Sequence, residues 1–313
     1  MNNVRHSAER INIEGSINFD VPMIPYTTFR VGGPAEIFVQ PKNWQDVHKA
    51  RKWAAEERLS FFLLGGGANI LVADRGVPGV VVHTAGLEKV SVDGTSVSAE
   101  AGAEISGVAE AAASAGLTGL EFIYRMPGSV GGAVWMNARC YGVSLSERLE
   151  WVDLLEPDGT YSRYQPKKED FAYKRSPFQE GGGIITRAGF ILKPGKADEI
   201  RSLMEEHRSD REDKGHFRYP SAGSVFKNNR AFGMPSGKLI DMAGLKGTRI
   251  GGAMIAPFHG NIIVNSGFAT ASDILSLIEL AEEKVYTLFG FKLEREVLLV
   301  GAWNLEGGTA CGI

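Results

Sequence analysis

The stretch FFLLGGGANI, residues Phe61 to Ile70, joins an apolar run directly to three consecutive glycines. A short apolar run that ends at glycine is typical of a buried strand, and glycine lets other atoms approach the backbone closely. A helical pattern from Asn43 to Leu59, with Asn43 as its N-cap, precedes this stretch, and a second apolar run from Gly79 to His83 follows it. Short strands that alternate with a helix predict a βαβ arrangement.

The rest of the chain also mixes helical and strand patterns. The predicted elements are a small-residue helix over Ala103 to Leu117 that Gly116 ends, a hairpin over Leu149 to Tyr164 closed by Pro157-Asp158-Gly159, a charged helix over Lys196 to Gly215, a helix over Thr270 to Phe289 with a Thr270/Asp273 capping box, and a last strand over Arg295 to Gly301. We expect an α/β (α+β) fold in three segments, residues 1–88, 89–195 and 196–313. A return of the last strand to the first segment is left open.

Composition limits the function classes. The 313 residues are 43% hydrophobic and 23% charged, which is typical of a folded protein. The net charge of -3 gives no broad positive electrostatic field that would attract nucleic acid or an anionic membrane. The two cysteines, Cys140 and Cys311, predict neither a disulfide framework nor a zinc site, and the scattered histidines predict no metal centre. With no apolar signal core in the first residues, we expect a cytoplasmic protein that binds a small molecule.

Three glycine turns dominate the first half: RVGGPAE with Gly32 and Gly33, LLGGGANILV with Gly65 to Gly67, and MPGSVGGAVWMNA with Gly128, Gly131 and Gly132. Each is compatible with a tight structural turn, but consecutive backbone N–H groups in such turns also form nests for phosphate oxygens. Neither the Rossmann fingerprint nor a P-loop fits these turns. Two readings of Asn69 stay open, an Asx-type turn bond or a bridge to a ligand. Pro127 precludes reading Ser129 as a hydrolase nucleophile.

The second half carries the polar candidates for chemistry. In RYPSAGSVFKNN, we expect Ser224 to open a strand, with Lys227 and Asn228 close by as groups for an anionic substrate. Further candidates are the basic pair Lys174 and Arg175 behind Tyr173, the carboxylate Glu296, and His259 with Asn261 at the head of a strand. Taken singly, each of these is also compatible with an ordinary surface or structural role.

Six blocks taken together resemble one family. They are TTFRVGGPAEIFV, LLGGGANILVADRG, MPGSVGGAVWMNA, YPSAGSVFKN, HGNIIVN and LEREV, which in this order are similar to the UDP-N-acetylenolpyruvoylglucosamine reductase family of peptidoglycan precursor synthesis. The resemblance runs from about Pro25 to Trp303, nearly the whole chain. Without the insertion of the longer subtype near Gly181 to Lys196, the sequence resembles the shorter one.

The resemblance implies a two-part FAD-binding region of the vanillyl-alcohol-oxidase (PCMH) type followed by an α/β substrate-binding domain. It implies reduction of an enolpyruvyl ether of a UDP-sugar with FAD and NADPH. In this family the glycine turns lie against FAD, which maps cofactor binding to Gly32, Gly33, Gly65, Gly66, Gly67, Ala68, Asn69, Gly128, Ser129, Gly131, Gly132 and Ala133. The family's proton donor maps to Ser224 and its enol-stabilising glutamate to Glu296, while substrate contacts map to Tyr173, Lys227, Asn228, His259 and Asn261.

Some positions depart from the family pattern. The usual arginine after tyrosine aligns with Lys174, with Arg175 one place later, and lysine supplies charge without the bidentate fork of arginine. Arg139 and Cys140 stand where small residues are usual. Two alternatives therefore stay open: an FAD-dependent oxidoreductase of the same fold that acts on another substrate, and a flavin or nucleotide binder without catalysis.

Overall fold

The computed structural model describes residues 7–8 and 11–303. These residues form two compact units. Unit 1 holds residues 7–8, 11–18, 38–66 and 80–210, and unit 2 holds residues 19–37, 67–79 and 211–303. Neither unit is continuous in sequence. The predicted segments 1–88, 89–195 and 196–313 stay a prediction.

The helices of the described residues are α1 (Trp44–Glu56), α2 (Ile105–Ser114), α3 (Val130–Trp135), α4 (Ala197–Asp213), α5 (Ser236–Met242) and α6 (Ala271–Phe289). The strands are β1 (Ser16–Pro22), β2 (Pro34–Gln40), β3 (Phe61–Leu64), β4 (Ile70–Val72), β5 (Val77–His83), β6 (Val90–Asp93), β7 (Ser96–Glu100), β8 (Leu117–Thr118), β9 (Arg139–Cys140), β10 (Val143–Ser144), β11 (Leu149–Leu155), β12 (Tyr161–Tyr164), β13 (Ile184–Ile191), β14 (Lys193–Pro194), β15 (Ser221–Ser224), β16 (Arg249–Ile250), β17 (Ala253–Ile255), β18 (Ile262–Asn265) and β19 (Leu298–Val300).

Local signals fix the ends of several helices. The Asn43 side chain accepts from the N–H of Asp46 and begins α1, as its capping preference predicts. Thr270 and Asp273 form the predicted capping box of α6, and Gly290 ends that helix in the left-handed region. Gly116 likewise follows α2 with a φ of +71°. The predictions for these helix ends are confirmed.

Unit 1 is built around a five-stranded sheet of order β12-β11-β13-β7-β6, whose paired strands are antiparallel. The predicted hairpin is confirmed, with Val152 opposite Tyr164 and Gly159 at a φ of +89° in its turn. In the same unit, Phe61 to Leu64 of β3 pair in parallel with Val80 to His83 of β5. Helices α2 and α3 bury apolar faces in the core of this unit.

Unit 2 contains a four-stranded antiparallel sheet of order β15-β18-β17-β16 and a parallel pair of β19 with β4. The parallel pair places Leu298 opposite Ile70, on the strand that directly follows the triple-glycine turn. Helix α6 packs its apolar face on a core that includes Leu71 and Phe226. One expectation is wrong: Ser224 is the last residue of β15 rather than the first of a strand, because the pairing with β18 already begins at Ser221 and continues, after a register shift, to Ser224 opposite Ile262.

Two further observations concern chemistry and membranes. Sγ of Cys140 lies 3.7 Å from Sδ of Met126, and Cys311 lies outside the described residues. Among residues 7–8 and 11–303, no helix combines the length and the apolar character that crossing a bilayer requires.

Candidate functional site

The first glycines of the triple-glycine turn lie in unit 1, where they pack against another predicted ligand turn. A Cβ atom added at Gly65 would lie 2.2 Å from Oγ of Ser129, and one at Gly66 would lie 2.6 Å from Cα of Gly128. These distances are shorter than any carbon contact that a folded protein tolerates. The close approach that the sequence predicted at these glycines is therefore made first by the chain's own atoms, the Ser129 side chain at Gly65 and the Gly128 backbone at Gly66.

The turn around Ser129 begins helix α3, and its N–H groups bond within the protein. Val130 and Gly131 donate to the carbonyls of Ala103 and Ala101, at 2.9 and 2.8 Å, and Gly132 donates to Oγ of Ser129 at 3.4 Å. Ala133, another predicted cofactor residue, is buried. Bonds of this kind fix the shape of the turn, and the predicted contacts of Ser129, Gly131, Gly132 and Ala133 with a cofactor stay predictions.

In unit 2 the remaining glycines of both N-terminal turns are also tightly packed. A Cβ atom at Gly33 would lie 2.1 Å from the carbonyl oxygen of Asp74, and one at Gly67 would lie 2.0 Å from that of Tyr26. Gly32 has a φ of +122° and packs against Val72. Gly67 has a φ of +58°, in the left-handed region that glycine adopts without strain.

The triple-glycine turn nevertheless retains donors for a ligand. In the described part of the chain, no backbone hydrogen bond is donated by the N–H of Gly66, Gly67 or Ala68. Successive N–H groups around a left-handed residue form a nest, which is a binding geometry for anionic oxygens. The residues of this turn thus fit a phosphate-bearing group.

The basic pair lies in unit 1 on a short turn. Ala172 and Arg175 exchange backbone hydrogen bonds at 3.1 and 3.2 Å, so that Tyr173 and Lys174 form the tip, with Lys174 at a φ of +57°. Nη2 of Arg175 lies 3.0 Å from Oε1 of Glu180, and both of these side chains are exposed. The structure therefore separates the two cations by environment, with Lys174 at the tip and Arg175 in a surface ion pair.

Ser224 owes its position in unit 2 to a bulge. Strand β15 pairs with β18 at Ser221 opposite Val264 and again at Ser224 opposite Ile262, with a register shift between them. Gly223 lies in the bulge at a φ of +71°, a conformation that glycine adopts readily. Bulges interrupt the regular alternation of side chains along a strand, so Ser224 does not continue the alternation that begins at Ser221.

Hydrogen bonds connect Ser224's neighbours to three other predicted site residues in the same unit. The carbonyl of Val225 accepts from the N–H of Glu296 at 2.7 Å, and the N–H of Val225 donates to the carbonyl of Asn261 at 2.9 Å. The Asn69 amide donates to the carbonyl of Glu296 at 3.0 Å. Ser224 and Glu296 thus lie on adjacent segments of one bonded network, and the Glu296 side chain is buried.

Asn261 acts within this network as a clamp. Its Oδ1 accepts from the N–H of Phe226 at 2.9 Å, and its Nδ2 donates to the carbonyl of the same residue at 2.8 Å. The Asn261 side chain is buried, and these two bonds occupy both ends of its amide. The geometry shows Asn261 holding the backbone that follows Ser224, whereas its predicted contact with substrate stays a prediction.

A polar pocket of about 320 Å³ opens beside Ser224 in unit 2. Its lining includes the predicted residues Asn228, His259 and Asn261, and it adds Lys238 and Lys246. Nζ of Lys246 lies 3.1 Å from Oδ1 of Asp241. Neither lysine was predicted from the sequence: Lys238 lies within α5 and Lys246 follows that helix, and the pattern alone did not place α5 near Ser224.

Burial sets the protonation of His259. Desolvation lowers the pKa of His259 from its ordinary value of 6.5, and the positive charges of Lys214 and Lys246 lower it further. Nδ1 accepts from the N–H of Asn261 at 3.1 Å, so that Nε2 carries the proton of the neutral ring. At neutral pH the pocket therefore presents a neutral histidine.

The other predicted substrate groups have partners in the protein. Nζ of Lys227 lies 2.7 Å from Oε1 of Glu294, whose side chain is exposed. Oδ1 of Asn228 accepts from the N–H of Ser236 at 2.9 Å. Lys227 therefore shares its charge with a carboxylate, and Asn228 connects the segment after Ser224 to the start of α5.

Comparisons with known proteins point in one direction. Residues 35–164 match a family described as FAD binding domain, and residues 215–300 match the C-terminal domain of UDP-N-acetylenolpyruvoylglucosamine reductase. Together with the mixed helices and strands, these matches confirm the predicted fold class, an FAD-binding domain followed by a C-terminal domain of this family.

Similar proteins span nearly the same length. The UDP-N-acetylenolpyruvoylglucosamine reductase of Treponema denticola is 44% identical, covering 93% of this chain and 95% of its own. That of Borrelia garinii subsp. bavariensis is 41% identical over 95% and 96%, respectively. The crystal structure of the Thermus caldophilus enzyme has a TM-score of 0.77 and 35% identity, covering 92% of this chain and 99% of its own.

Proposed function

Because this chain belongs to the UDP-N-acetylenolpyruvoylglucosamine reductase family, we propose that it reduces the enolpyruvyl ether of UDP-N-acetylglucosamine to UDP-N-acetylmuramate. FAD is its cofactor and NADPH its reductant. The reaction belongs to peptidoglycan precursor synthesis, and we place it in the cytoplasm. The observation that carries the assignment of residues is the bonded network that sets Ser224 beside the Glu296 segment and a basic pocket.

The triple-glycine turn is the part of the chain that fits FAD. The N–H groups of Gly66, Gly67 and Ala68 donate no backbone hydrogen bond within the described chain, and they would hold the cofactor's diphosphate. The turn at Gly128 and Ser129 shapes this place by its packing on Gly65 and Gly66. Bound FAD supplies the hydride for reduction of the substrate's carbon–carbon double bond.

Ser224 supplies the proton in this proposal. Addition of hydride to the terminal vinyl carbon leaves carbanion character on the neighbouring carbon, which the substrate carboxylate delocalises. A hydroxyl is a weak acid at neutral pH, and it donates readily only to a strongly basic carbon of this kind. The bulge at Gly223 directs the hydroxyl, and Glu296, buried on the adjacent segment, stabilises the enol form.

The pocket beside Ser224 suits the anionic part of the substrate. Lys238 and Lys246 supply positive charge, and Asn228 and the Nε2–H of His259 supply hydrogen bonds. In its neutral state the His259 ring donates one hydrogen bond, from Nε2–H, and adds no further positive charge to the pocket. Which of Lys174 and Arg175 serves the family's usual arginine position is left to experiment.

Replacement of Ser224 tests the proposal. We expect Ser224→Ala to leave FAD content and flavin reduction by NADPH within about twofold of wild type, and to slow reoxidation by UDP-N-acetylglucosamine enolpyruvate at least about 100-fold. Stopped-flow absorbance in the flavin bands measures both half-reactions separately. Ser221→Ala is the matched control, since Ser221 begins the same strand on the other side of the bulge.

Two outcomes contradict the proposal at different levels. Equal slowing of both half-reactions, or of neither, removes Ser224 as the proton donor. Wild-type protein that binds FAD but does not oxidise NADPH in response to the UDP-sugar removes the proposed substrate. Lys174→Ala and Arg175→Ala, measured separately in the same assay, identify which cation acts in the substrate half-reaction.

A further inference from the structure

Asn69 makes a bond that neither of its sequence readings included. Its Nδ2 donates to the backbone carbonyl of Glu296 at 3.0 Å, across 227 positions of sequence. Its own carbonyl accepts from the N–H of Leu298 at 3.0 Å, where β19 begins its parallel pairing with β4. Asn69 therefore holds the chain on both sides of Val297, directly at the candidate catalytic carboxylate.

The other bonds of Glu296 show why this contact is decisive. The N–H of Glu296 donates to the carbonyl of Val225 at 2.7 Å, and the carbonyl of Glu296 accepts from the Asn69 amide. Glu296 precedes the first paired residue of β19, Leu298, so the ladder of that strand does not hold it. The Asn69 amide supplies the bond that a regular strand partner would otherwise make.

We propose that Asn69 is a positioning residue that fixes Glu296 for the substrate half-reaction through its bond to the Glu296 carbonyl. This inference rests on the proposed function of Glu296. Without the amide, the peptide between Glu296 and Val297 loses the 3.0 Å bond at its carbonyl and keeps the longer bond from the N–H of Val297 to the carbonyl of Val225, at 3.3 Å. It then rotates more freely, and the buried carboxylate of Glu296 is held less firmly beside the Ser224 segment. A displacement of about 1 Å at a catalytic group costs up to about 100-fold in rate.

Two substitutions test Asn69. Asn69→Ala removes the whole amide, whereas Asn69→Asp keeps the size and the oxygen but lacks the N–H donor. For both variants we expect flavin reoxidation by the UDP-sugar to slow between about 10-fold and 100-fold. The KM for that substrate, the flavin spectrum and the rate of reduction by NADPH should stay within about twofold of wild type. A loss confined to one half-reaction separates positioning from a general loss of structure.

The Glu296→Gln background shows whether Asn69 acts through Glu296. If it does, Asn69→Ala slows the Glu296→Gln protein by less than about twofold, because the group that it positions is already gone. Asn265→Ala is the matched control: its Nδ2 likewise donates to a distant backbone carbonyl of the same unit, that of Phe29 at 3.1 Å, which belongs to none of the candidate residues. We expect it to lower the free energy of unfolding without changing reoxidation by the substrate.

Several results would overturn the inference. Loss of FAD from Asn69→Asp would make Asn69 a cofactor ligand instead, and full slowing by Asn69→Ala in the Glu296→Gln background would show that it does not act through Glu296. Unchanged reoxidation in both Asn69 variants, with Glu296→Gln slow, refutes positioning and leaves the proposed function intact. Unchanged reoxidation in Glu296→Gln refutes the assigned role of Glu296 first, and the inference with it.

Discussion

At Gly67, both conformation and space exclude a side chain. Its φ of +58° is left-handed, and a Cβ atom there would lie 2.0 Å from the carbonyl oxygen of Tyr26. Backbone that close cannot move aside as a flexible side chain can. The sequence predicted the need for glycine in this turn, but the pattern did not reveal that the protein's own loops make the close contacts.

Gly94 offers a matched comparison for Gly67. It has nearly the same φ, +56°, with no atom within 4 Å of an added Cβ. We expect Gly94→Ala to lower the free energy of unfolding by about 1 kcal/mol, the cost of left-handed backbone for a non-glycine residue. Gly67→Ala should cost about 2 kcal/mol more through steric overlap and should weaken FAD retention.

Urea unfolding of both variants, with flavin absorbance after dialysis, checks this prediction. Equal losses of unfolding free energy would show that φ alone explains both glycines. Full FAD retention by Gly67→Ala would show that the turn tolerates a side chain without loss of its ligand geometry.

On the scale of elements, the sequence predicted helices better than the strand that carries Ser224. Asn43 and the Thr270/Asp273 pair mark helix ends by bonds to residues three positions away. Bonds over so short a distance along the chain can be predicted from the local sequence. The side of the sheet that the Ser224 side chain faces depends on a register shift against β18, a strand about 40 residues later in the chain. Local patterns contain no information about that shift, and for the same reason the Asn69 bond to Glu296 could not be predicted.

The bulge in β15 gives an element-scale prediction. Gly223→Ala places a Cβ at a φ of +71° in open space, so we expect a loss of about 1 kcal/mol in unfolding free energy. The strand relieves this strain by shifting its register, which turns the Ser224 hydroxyl. Flavin reoxidation by the UDP-sugar should therefore slow at least about tenfold, with reduction by NADPH unchanged.

Gly290→Ala is the control for Gly223→Ala. Gly290 ends α6 at a φ of +72°, again with open space around an added Cβ. Gly290→Ala should lower stability as much as Gly223→Ala and leave both half-reactions at the wild-type rate. Stopped-flow traces that show the same slowing in the two variants would attribute the effect to general destabilisation and not to the bulge.

On the scale of the whole molecule, each unit holds a partly buried histidine whose pKa is lowered. Burial lowers the pKa of His83 in unit 1 from 6.5, and burial, with Lys214 and Lys246, lowers that of His259 in unit 2. Between the lowered folded value and 6.5, the unfolded chain binds more protons than the folded one. Stability from these groups is complete above pH 6.5 and is lost as the pH falls below it.

We therefore expect the free energy of unfolding, measured in urea, to fall steadily between about pH 7 and pH 5. His83→Gln should reduce that slope, and adding His259→Gln should reduce it further, because glutamine does not titrate. The pKa of Asp273 is lowered from 3.8 by the N–H of Thr270, so its contribution is lost only at more acidic pH and stays outside this window. A slope that is unchanged in the double variant would assign the acid sensitivity to other groups, and stability that rises on acidification would contradict the neutral state of both histidines.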